Sequence, residues 1–352
     1  MMKTNLKQLS EEEMSIFIQK LGEKPYRAKQ VINWIYKKHA ASIDEMTDLS
    51  AVTRERLKEK AFISSLKLLD KKTAKDGTSK FLFELEDGET IESVLIPNIH
   101  GEGKYTICIS SQVGCALKCE FCMTGKLGFI RNLKSHEIID QVLVLEKYIN
   151  ADVKDKKDEQ DITNIVLMGM GEPLNNFKEV NTALWKLTSL MGYSKRKITL
   201  STAGIVPKIL ELGEKGPGVN LAISLNATTD AVRSRIMPVN KKYPIRDLLD
   251  ACREFTLAPR RRITFEYVMI DGLNDSDEDA KRLVKLLKGI RAKVNLIPYN
   301  ASDDKTLNKP SGNRIHLFQE ILLNAGLPAT IRQSKGSEIS AACGQLKAAY
   351  KS

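Results

Sequence analysis

The sequence lacks any long hydrophobic run. Among its 352 residues, no stretch approaches the roughly 18 consecutive apolar residues of a membrane-spanning helix. The first residues, Met1–Glu13, also lack the apolar segment of a signal peptide. We therefore expect a cytoplasmic protein that does not associate with membranes. Because cytoplasmic thiols remain reduced, the six cysteines are expected to serve as ligands or catalysts and not as structural disulfides.

Histidine and aromatic residues are also scarce. The four histidines, His39, His100, His136 and His316, show none of the paired spacing that zinc sites use. Aromatic residues make up 6% of the chain, and no aromatic motif of the kind that stacks single-stranded RNA bases is present. Recognition of a nucleic acid would therefore rest on its shape and backbone.

Positive charge is abundant. The 55 Lys and Arg residues exceed the 44 Asp and Glu residues, which gives a net charge of +11. Clustered cations neutralise phosphates and release counterions, so this charge favours a polyanionic partner such as RNA. The candidate phosphate contacts, which we expect around the rim of one active site, are Lys195–Lys197, Arg260–Arg262, Lys241–Lys242 and the N-terminal Arg27, Lys29, Lys37 and Lys38.

The first hundred residues divide into a helical part and a β-rich part. A capping-box pattern at Ser10 and Glu13 opens one helix, and two more are predicted over Tyr26–His39 and Ala51–Lys60. Short strands follow, separated by dipeptides typical of hairpin turns: Asp76-Gly77 and Asp87-Gly88.

From about Tyr105 onward, short β-rich runs alternate with helical segments. The predicted strands are Tyr105–Ser110, Asn164–Met168, Lys197–Ser201, Val219–Leu225, Thr264–Ile270 and Lys293–Pro298. The predicted helices are Ser135–Tyr148, Asn176–Leu190, Arg246–Phe255, Asp277–Leu287 and Arg314–Ala325. This alternation is typical of an α/β fold with a parallel sheet. Six such units form a partial barrel or a doubly wound sheet, and either places the active site at the carboxyl ends of the strands.

Three cysteines stand close together directly after the first of these strands. Cys115, Cys119 and Cys122 have the spacing C-x3-C-x2-C, and three neighbouring thiolates can hold one soft metal centre. A four-iron cluster normally takes four thiolates, so three would leave one iron open to a substrate or cofactor. The alternative is a zinc knuckle completed by another cysteine, although no second ligand pair follows.

A glycine-rich loop follows the second of these strands. It reads MGMGEP from Met168 to Pro173, and glycines there let the backbone approach a ligand closely. Glu172 is a candidate acceptor for an ammonium group or a ribose.

These motifs resemble those of a known superfamily and, within it, of one family. The cysteine spacing, with Phe121 before the last cysteine, and the Gly171-Glu172-Pro173 sequence resemble the radical S-adenosylmethionine (SAM) superfamily. Longer strings are similar to the RlmN family of adenine-C2 RNA methyltransferases: KPYRAKQVINWIY from Lys24, ISSQVGCALKCEFCMTGKLG from Ile109, VLMGMGEPL from Val166, KITLSTAG from Lys197, LAISLNA from Leu221, VNLIPYN from Val294 and AACGQL from Ala341. The resemblance runs from about residue 20 to 347.

The resemblance implies a fold and four segments. The fold would be an α/β partial (β/α)6 radical-SAM barrel with a small N-terminal helical domain and a C-terminal extension. Residues 1–65 would form an RNA-docking accessory domain and residues 66–104 a β-hairpin connection. Residues 105–300 would form the barrel, and residues 301–352 the extension that carries a methyl-carrier cysteine.

The resemblance also assigns roles residue by residue. Cys115, Cys119 and Cys122 would bind one [4Fe-4S] cluster. The SAM site would comprise Gly171, Glu172, Ser201, Ser224, Leu225, Asn226 and Asn300, although some relatives carry His in place of Asn226. Cys343 would carry the methyl group, Cys108 would be the second catalytic thiol, and Glu92 would accept a proton. The residues alone favour a different interpretation of Cys108, as a small buried strand residue.

The implied reaction uses SAM both as methyl donor and as radical source. S-methylated Cys343 and a covalent RNA adduct would be intermediates, and a Cys108–Cys343 disulfide would release adenosine methylated at C2. The implied substrates are 23S rRNA and tRNA, with an electron donor such as flavodoxin, and we expect a monomer. Three alternatives stay open: a Cfr-type methyltransferase acting at C8 of an rRNA adenine, a radical-SAM enzyme acting on a small molecule or a protein, and a non-enzymatic RNA-binding protein with structural zinc.

Overall fold

A ten-stranded sheet forms the centre of the protein. The structure is a computed structural model and describes residues 3–98, 103–151, 161–300 and 307–347. Within those ranges the strands are β1 (Thr4–Asn5), β2 (Ala61–Phe62), β3 (Lys67–Thr73), β4 (Ser79–Glu84), β5 (Thr90–Pro97), β6 (Lys104–Cys108), β7 (Gln112–Gly114), β8 (Phe129–Asn132), β9 (Asp161–Leu167), β10 (Ile198–Thr202), β11 (Asn220–Ser224), β12 (Ile263–Met269), β13 (Ala292–Pro298) and β14 (Ala329–Ile331).

Helices fill the connections between the strands of the sheet and the segment before it. Within the same ranges they are α1 (Glu11–Lys20), α2 (Tyr26–Tyr36), α3 (Ala51–Lys60), α4 (Met123–Lys126), α5 (Ser135–Ile149), α6 (Phe177–Ser189), α7 (Val206–Lys215), α8 (Asp230–Ile236), α9 (Ile245–Glu254), α10 (Asp277–Leu287) and α11 (Gly312–Asn324). The predicted strands and helices coincide with these elements to within a few residues. Strands β1, β7, β8 and β14 and helices α4, α7 and α8 were not predicted.

The strand order follows the chain. From β6 the sheet runs β6-β9-β10-β11-β12-β13-β14 with every neighbouring pair parallel. Strands β5, β4 and β3 extend its other edge as an antiparallel meander. Among the described residues the two outermost strands, β3 and β14, do not pair with each other, so the sheet stays open. The predicted α/β fold with a partial barrel is confirmed.

Side chains alternate between the two faces of the sheet. On β12, Phe265 and Tyr267 are completely buried in the main hydrophobic core, and Tyr267 packs its ring against Phe318 of α11. Successive residues of a strand point to opposite faces, so Glu266 between them faces away from the helices. The helix-covered face therefore supplies the core, and the opposite face is free to carry polar groups.

A buried ion pair joins the N-terminal segment to the helices that cover the sheet. Lys7 pairs with Asp140 of α5, and the two side chains are 5% and 1% exposed. Lys7 also donates to the carbonyl oxygen of Ser64 at 2.7 Å, while the Ser64 hydroxyl donates to Asp140 at 2.9 Å. Such a buried pair is tolerated only when its remaining hydrogen-bonding groups are also satisfied.

The β-rich part of the first hundred residues belongs to the main sheet. Its predicted hairpin turns are confirmed, with Gly77 and Gly88 in the left-handed region at φ +80° and +83°. The division of the chain into four segments stays a prediction, and residues 1–2, 99–102, 152–160, 301–306 and 348–352 of those segments lie outside the described residues. No helix in the described ranges is long and apolar enough to cross a membrane.

Candidate active site

A pocket of about 960 Å³, part of it open to solvent, lies at the carboxyl ends of strands β9 to β13. This is the end at which α/β folds of this kind place their active sites. Most of the predicted site residues line it: Cys115, Cys119, Cys122, Gly171, Glu172, Ser201, Ser224, Asn226, Asn300 and Cys343. The side chains of Leu225, Cys108 and Glu92 do not.

A short β-ribbon shapes the cysteine loop. Strands β7 and β8 pair antiparallel, and the Cys115 N–H donates to the carbonyl oxygen of Gly128 at 2.7 Å. Gly114 precedes it with φ +73°, and a Cβ there would lie 1.9 Å from that same carbonyl oxygen. Only glycine fits at this close approach of the two strands. The chain then enters the cysteine loop, which ends at Cys122, directly before α4.

The three loop thiols are near one another and poorly solvated. Burial raises the pKa of Cys115 to about 12 and also raises the pKa of Cys119, and the Cys122 thiol adds to both shifts. Thiolates are therefore unfavourable here unless a cation compensates their charge. The iron atoms of an iron–sulfur cluster supply that charge, so the donor set fits the predicted [4Fe-4S] cluster.

A single zinc ion and a four-iron cluster make different demands on their ligands. Among the described residues, no three His, Cys, Asp or Glu side chains are arranged to hold one metal ion. A zinc knuckle needs ligands that converge on one ion, whereas each cysteine of a four-iron cluster binds a different iron.

Glu172 is a buried carboxylate that organises the loop after β9. Its oxygens accept hydrogen bonds from the Thr202 hydroxyl at 2.7 Å, the Ala203 N–H at 2.7 Å and the Leu174 N–H at 3.0 Å. Burial raises the pKa of Glu172, and these three donors oppose the shift. The carboxylate thereby ties its own loop to the end of β10 and still lines the pocket.

Two glycines let this loop close against the segment that follows β6. A Cβ at Gly169 would lie 2.7 Å from the carbonyl oxygen of Ile109. Gly171 has φ +99°, and a Cβ there would lie 2.5 Å from the Cβ of Gln112. Because both gaps are too small for any side chain, glycine at these positions is what brings Glu172 into the pocket beside the cysteine loop.

Strands β10 and β11 present polar groups to the pocket at their carboxyl ends. Ser201 and Ser224 line it as half-buried hydroxyls. Asn226 follows β11 in the left-handed region at φ +58°, where asparagine is tolerated better than most residues. Its Oδ1 accepts the Val268 N–H at 2.8 Å, which fixes the side chain against β12.

Arg233 of α8 joins the ends of these two strands. Its fully buried guanidinium donates to the carbonyl oxygens of Ala203 at 2.6 Å, Ser224 at 3.0 Å and Leu225 at 3.0 Å, and to Asn240 Oδ1 at 3.0 Å. Burial lowers the pKa of Arg233 to about 10, so the group remains charged at neutral pH. The Leu225 side chain is itself fully buried, so this residue can offer a ligand only its backbone.

The C-terminal segment crosses the pocket and brings Cys343 to it. Asn300 Nδ2 donates to the carbonyl oxygen of Cys343 at 3.3 Å. The Met123 N–H donates to the carbonyl oxygen of Gly344 at 2.7 Å. These bonds place the predicted methyl carrier between the cysteine loop and a predicted SAM residue, although the three are far apart in sequence.

Cys108 packs against the segment that carries Cys343. The Cys343 side chain has exposed surface, although protein atoms surround it closely enough to raise its pKa. Cys108 is buried on the inner face of β6 in an apolar cluster with Val94, Ala341 and Leu346. Burial raises the pKa of Cys108, and the nearby Cys343 thiol adds to the shift. Both are free thiols, so the predicted disulfide is not formed in this structure.

Two family models match this chain. Residues 4–63 match the ribosomal RNA large subunit methyltransferase N-terminal domain, and residues 109–284 match the radical SAM superfamily. A protein of Syntrophobacter fumaroxidans named dual-specificity RNA methyltransferase RlmN is 48% identical over 340 residues, which cover 96% of each chain. The chain belongs to the RlmN family.

Two further proteins extend this result. A dual-specificity RNA methyltransferase RlmN of Syntrophotalea carbinolica is 50% identical over 345 residues, which cover 97% of this chain and 89% of that protein. The crystal structure of a radical SAM methyltransferase from Sphaerobacter thermophilus is 40% identical with a TM-score of 0.90, and the match covers 98% of this chain and 100% of that one. The fold and the family of the chain thus agree.

Glu92 lies next to the C-terminal segment that carries Cys343. The resemblance to the RlmN family gave this residue the role of proton acceptor. Its carboxylate pairs with Lys80 at 2.9 Å and accepts the Lys347 N–H at 2.7 Å. Lys80 also donates to the carbonyl oxygen of Ser340 at 3.3 Å. These contacts fasten the chain on both sides of Cys343 to strands β4 and β5, and the proton-acceptor role stays a prediction.

Two of the predicted RNA contacts of this RlmN-family protein lie away from the pocket. Lys195–Lys197 and Arg260–Arg262 directly precede β10 and β12. They therefore lie at the amino ends of these strands, whereas the pocket lies at the carboxyl ends. The expectation that they rim the active site is wrong for these two runs. Lys241–Lys242 follow β11 and the pocket residue Met237, so they remain on the pocket side.

One charged residue of the pocket was not predicted from the sequence. Glu266 of β12 lines the pocket and is 7% exposed. The sequence did contain a signal for it, because a carboxyl between the aromatic residues Phe265 and Tyr267 in a predicted strand must face away from the core.

Proposed function

We propose that this SAM-dependent RNA methyltransferase adds a methyl group to C2 of adenosine in 23S rRNA and in tRNA. The observation that carries the proposal is the meeting of three features at one pocket: the cysteine loop, the Gly171–Glu172 loop and the free thiol of Cys343. The C2–H carbon of adenine is not nucleophilic, so direct methyl transfer from SAM would be slow. A protein thiol at the site offers a covalent route that divides the reaction into easier steps.

The protein's own residues provide the cofactor sites. Cys115, Cys119 and Cys122 would hold one [4Fe-4S] cluster. SAM would be held by Gly171, Glu172, Ser201, Ser224, Asn226 and Asn300 together with the backbone of Leu225. When bound together, the cluster and SAM supply a 5′-deoxyadenosyl radical, and SAM also supplies the methyl group. An electron donor such as flavodoxin would supply the electrons.

The two further thiols would act in sequence on one carbon atom. Cys343 would carry the methyl carbon as a thioether. After losing one hydrogen atom to the 5′-deoxyadenosyl radical, that carbon would bond to C2 of the base as a covalent RNA adduct. Cys108 would remove the C2 proton, and disulfide formation between the two thiols would release the product. The packing of Cys108 against Ala341 and Leu346, on either side of Cys343, supports this pairing of thiols.

Cys108 needs a way to lose its proton before it can act as a base. Burial raises its pKa, so the free thiol is protonated at neutral pH. Glu92 lies two residues from Val94 on the same face of β5, and Val94 is the cross-strand partner of Cys108. This position supports the role of Glu92 as the proton acceptor.

RNA docking is assigned to the N-terminal helices. Residues 4–63 match the family's N-terminal domain, and Lys38 and Arg27 place their cationic groups over the rings of Trp34 and Tyr26. Cations displayed on this surface suit contacts to the phosphate backbone, which supply most non-specific affinity for RNA.

The experiment is a reaction of reconstituted enzyme with SAM, a reductant and a 23S rRNA fragment, followed by mass spectrometry of the nucleosides. We expect 2-methyladenosine, and none from Cys343→Ala. The product 8-methyladenosine would move the target to C8 with the same thiol chemistry. Cleavage of SAM to 5′-deoxyadenosine without any RNA product would contradict the proposal.

A further inference from the structure

One buried carboxyl in the pocket has no part in the chemistry above. Glu266 is 7% exposed, and its Oε1 accepts a hydrogen bond from Asn295 Nδ2 at 3.0 Å. The two residues are also register partners on β12 and β13. Among the described residues Glu266 makes no ion pair, and Lys293 and Arg332 act on it only at longer range. Burying an acid without a full set of partners costs free energy, so a bound group that completes them would be favourable.

Glu266 faces the reacting end of the pocket. It lines the same wall as Ser224, its register partner on β11. Cys343 lines the same pocket, and the Glu266 carboxyl adds to the raised pKa of the Cys343 thiol. A ligand in this pocket can therefore meet both side chains.

The hydrogen-bonding pattern of Glu266 suits an adenine. Burial raises the pKa of this carboxyl, which favours a neutral acid with one donor and one acceptor. Adenine presents a matching pair on its Watson–Crick edge, since N1 accepts and the N6 amino group donates. Two-point contacts of this kind are how amide side chains select adenine in nucleic-acid complexes.

The edge of the adenine that Glu266 binds also decides whether C2 or C8 is available to the reacting thiol. In the purine ring C2 is bonded to N1, whereas C8 is bonded to N7 on the far side. A carboxyl that binds N1 and N6 therefore leaves the neighbouring C2 free, and C2 can then face Cys343 across the pocket. A hydrogen bond to N1 also withdraws electron density from C2 and favours the addition of a carbon centre there.

We propose that Glu266, positioned by Asn295, is the subsite that binds the Watson–Crick edge of the target adenine in RNA. The inference rests on the proposed function and adds to it the residue that selects the base and its C2 carbon. It assigns Glu266 to the RNA substrate and not to the adenine of SAM.

Two substitutions separate this role from a structural one. Glu266→Leu removes both hydrogen-bonding groups at similar size, whereas Glu266→Gln keeps one donor and one acceptor. We expect Glu266→Leu to lower kcat/KM for RNA by about 10- to 100-fold, or roughly 1.4 to 2.7 kcal/mol at 1.36 kcal/mol per tenfold. Glu266→Gln should recover most of this loss. Methylation of Cys343 by SAM without RNA, followed by protein mass spectrometry, should remain within about twofold of wild type in both.

A substrate analogue supplies a test that does not depend on the folding of a variant. RNA in which 1-deazaadenosine replaces the target adenosine lacks N1, so the wild-type enzyme should lose activity on it. Glu266→Leu should show a smaller penalty for the analogue, because the contact is already gone.

Three outcomes would overturn the inference. An unchanged kcat/KM for RNA in Glu266→Leu would show that Glu266 does not contact the target adenine. Loss of Cys343 methylation in parallel with RNA methylation would assign Glu266 to SAM. An equal penalty for the analogue in both enzymes would show that N1 is held by another group. Failure of the proposed function itself is distinct from all three, because the wild-type enzyme would then make no 2-methyladenosine.

Discussion

Arg233 provides a sharp test of how the pocket is held together. It is fully buried and its guanidinium serves four oxygen atoms, three of them backbone carbonyl oxygens at the ends of β10 and β11. Lysine keeps the charge but has three donors on a single nitrogen. Because one nitrogen cannot reach oxygen atoms spread around a planar fork, Arg233→Lys must leave some of them unsatisfied.

The size of the effect follows from those partners. A buried polar group left without a hydrogen bond costs about 1–3 kcal/mol. If the Arg233→Lys variant loses two of the four contacts, we expect a loss of about 2–6 kcal/mol in the free energy of unfolding. Because the lost contacts hold the backbone of Ala203, Ser224 and Leu225, the affinity for SAM should fall as well.

Arg235 offers a matched control on the same helix. Its side chain is 58% exposed, and its ion contact to Glu120 is 3.7 Å long, so Arg235→Lys should change stability by less than about 0.5 kcal/mol. Urea unfolding of both variants and calorimetric titration with SAM measure the two effects. An Arg233→Lys protein as stable as Arg235→Lys would refute the reasoning.

Three further predictions follow from single contacts. Burial raises the pKa of Glu146 to about 7 from 4.5, so the wild type loses stability as pH rises from about 5 to about 8. In urea unfolding, Glu146→Gln should be more stable than the wild type at the upper end of this range, and the difference in free energy of unfolding should shrink towards the lower end. Gly169→Ala should lower the free energy of unfolding by about 1–3 kcal/mol, because the added methyl group overpacks the site. At Gly312 an added Cβ would meet no atom within 4 Å, so Gly312→Ala should not lower the melting temperature. Lys80→Met removes a contact to the C-terminal segment, so iodoacetamide should label Cys343 several-fold faster, and an unchanged rate would count against that contact.

Much of the fold could be predicted because local pattern determines it. The strand ITFEYVM of β12 and the helix α10 were predicted as part of the alternation of β-rich and helical segments, and both were found in place. Helix α7 was not predicted, although Pro207 lies in its first turn, where proline is tolerated. Helix α8 has only seven residues, too few for a periodic pattern to stand out.

The site was less predictable, because its parts are joined by contacts that are distant in sequence. The cysteine loop and the Gly171–Glu172 loop are local motifs, and their meeting at the strand ends follows from the parallel sheet. The bond from Lys347 to Glu92 spans 255 positions, and no local pattern encodes it. Similarly, Arg233 and Arg235 are alike in sequence, and only the packing of α8 buries one and exposes the other.

The most direct test of the account asks whether Cys343 and Cys108 act in one covalent cycle on RNA. Cys108→Ala, incubated with SAM, a reductant and an RNA substrate, should form the bond to the base and then fail to release it. We predict a protein–RNA adduct, detected by mass spectrometry and attached at Cys343, and none with Cys343→Ala. Normal release of methylated RNA by either variant would contradict the account.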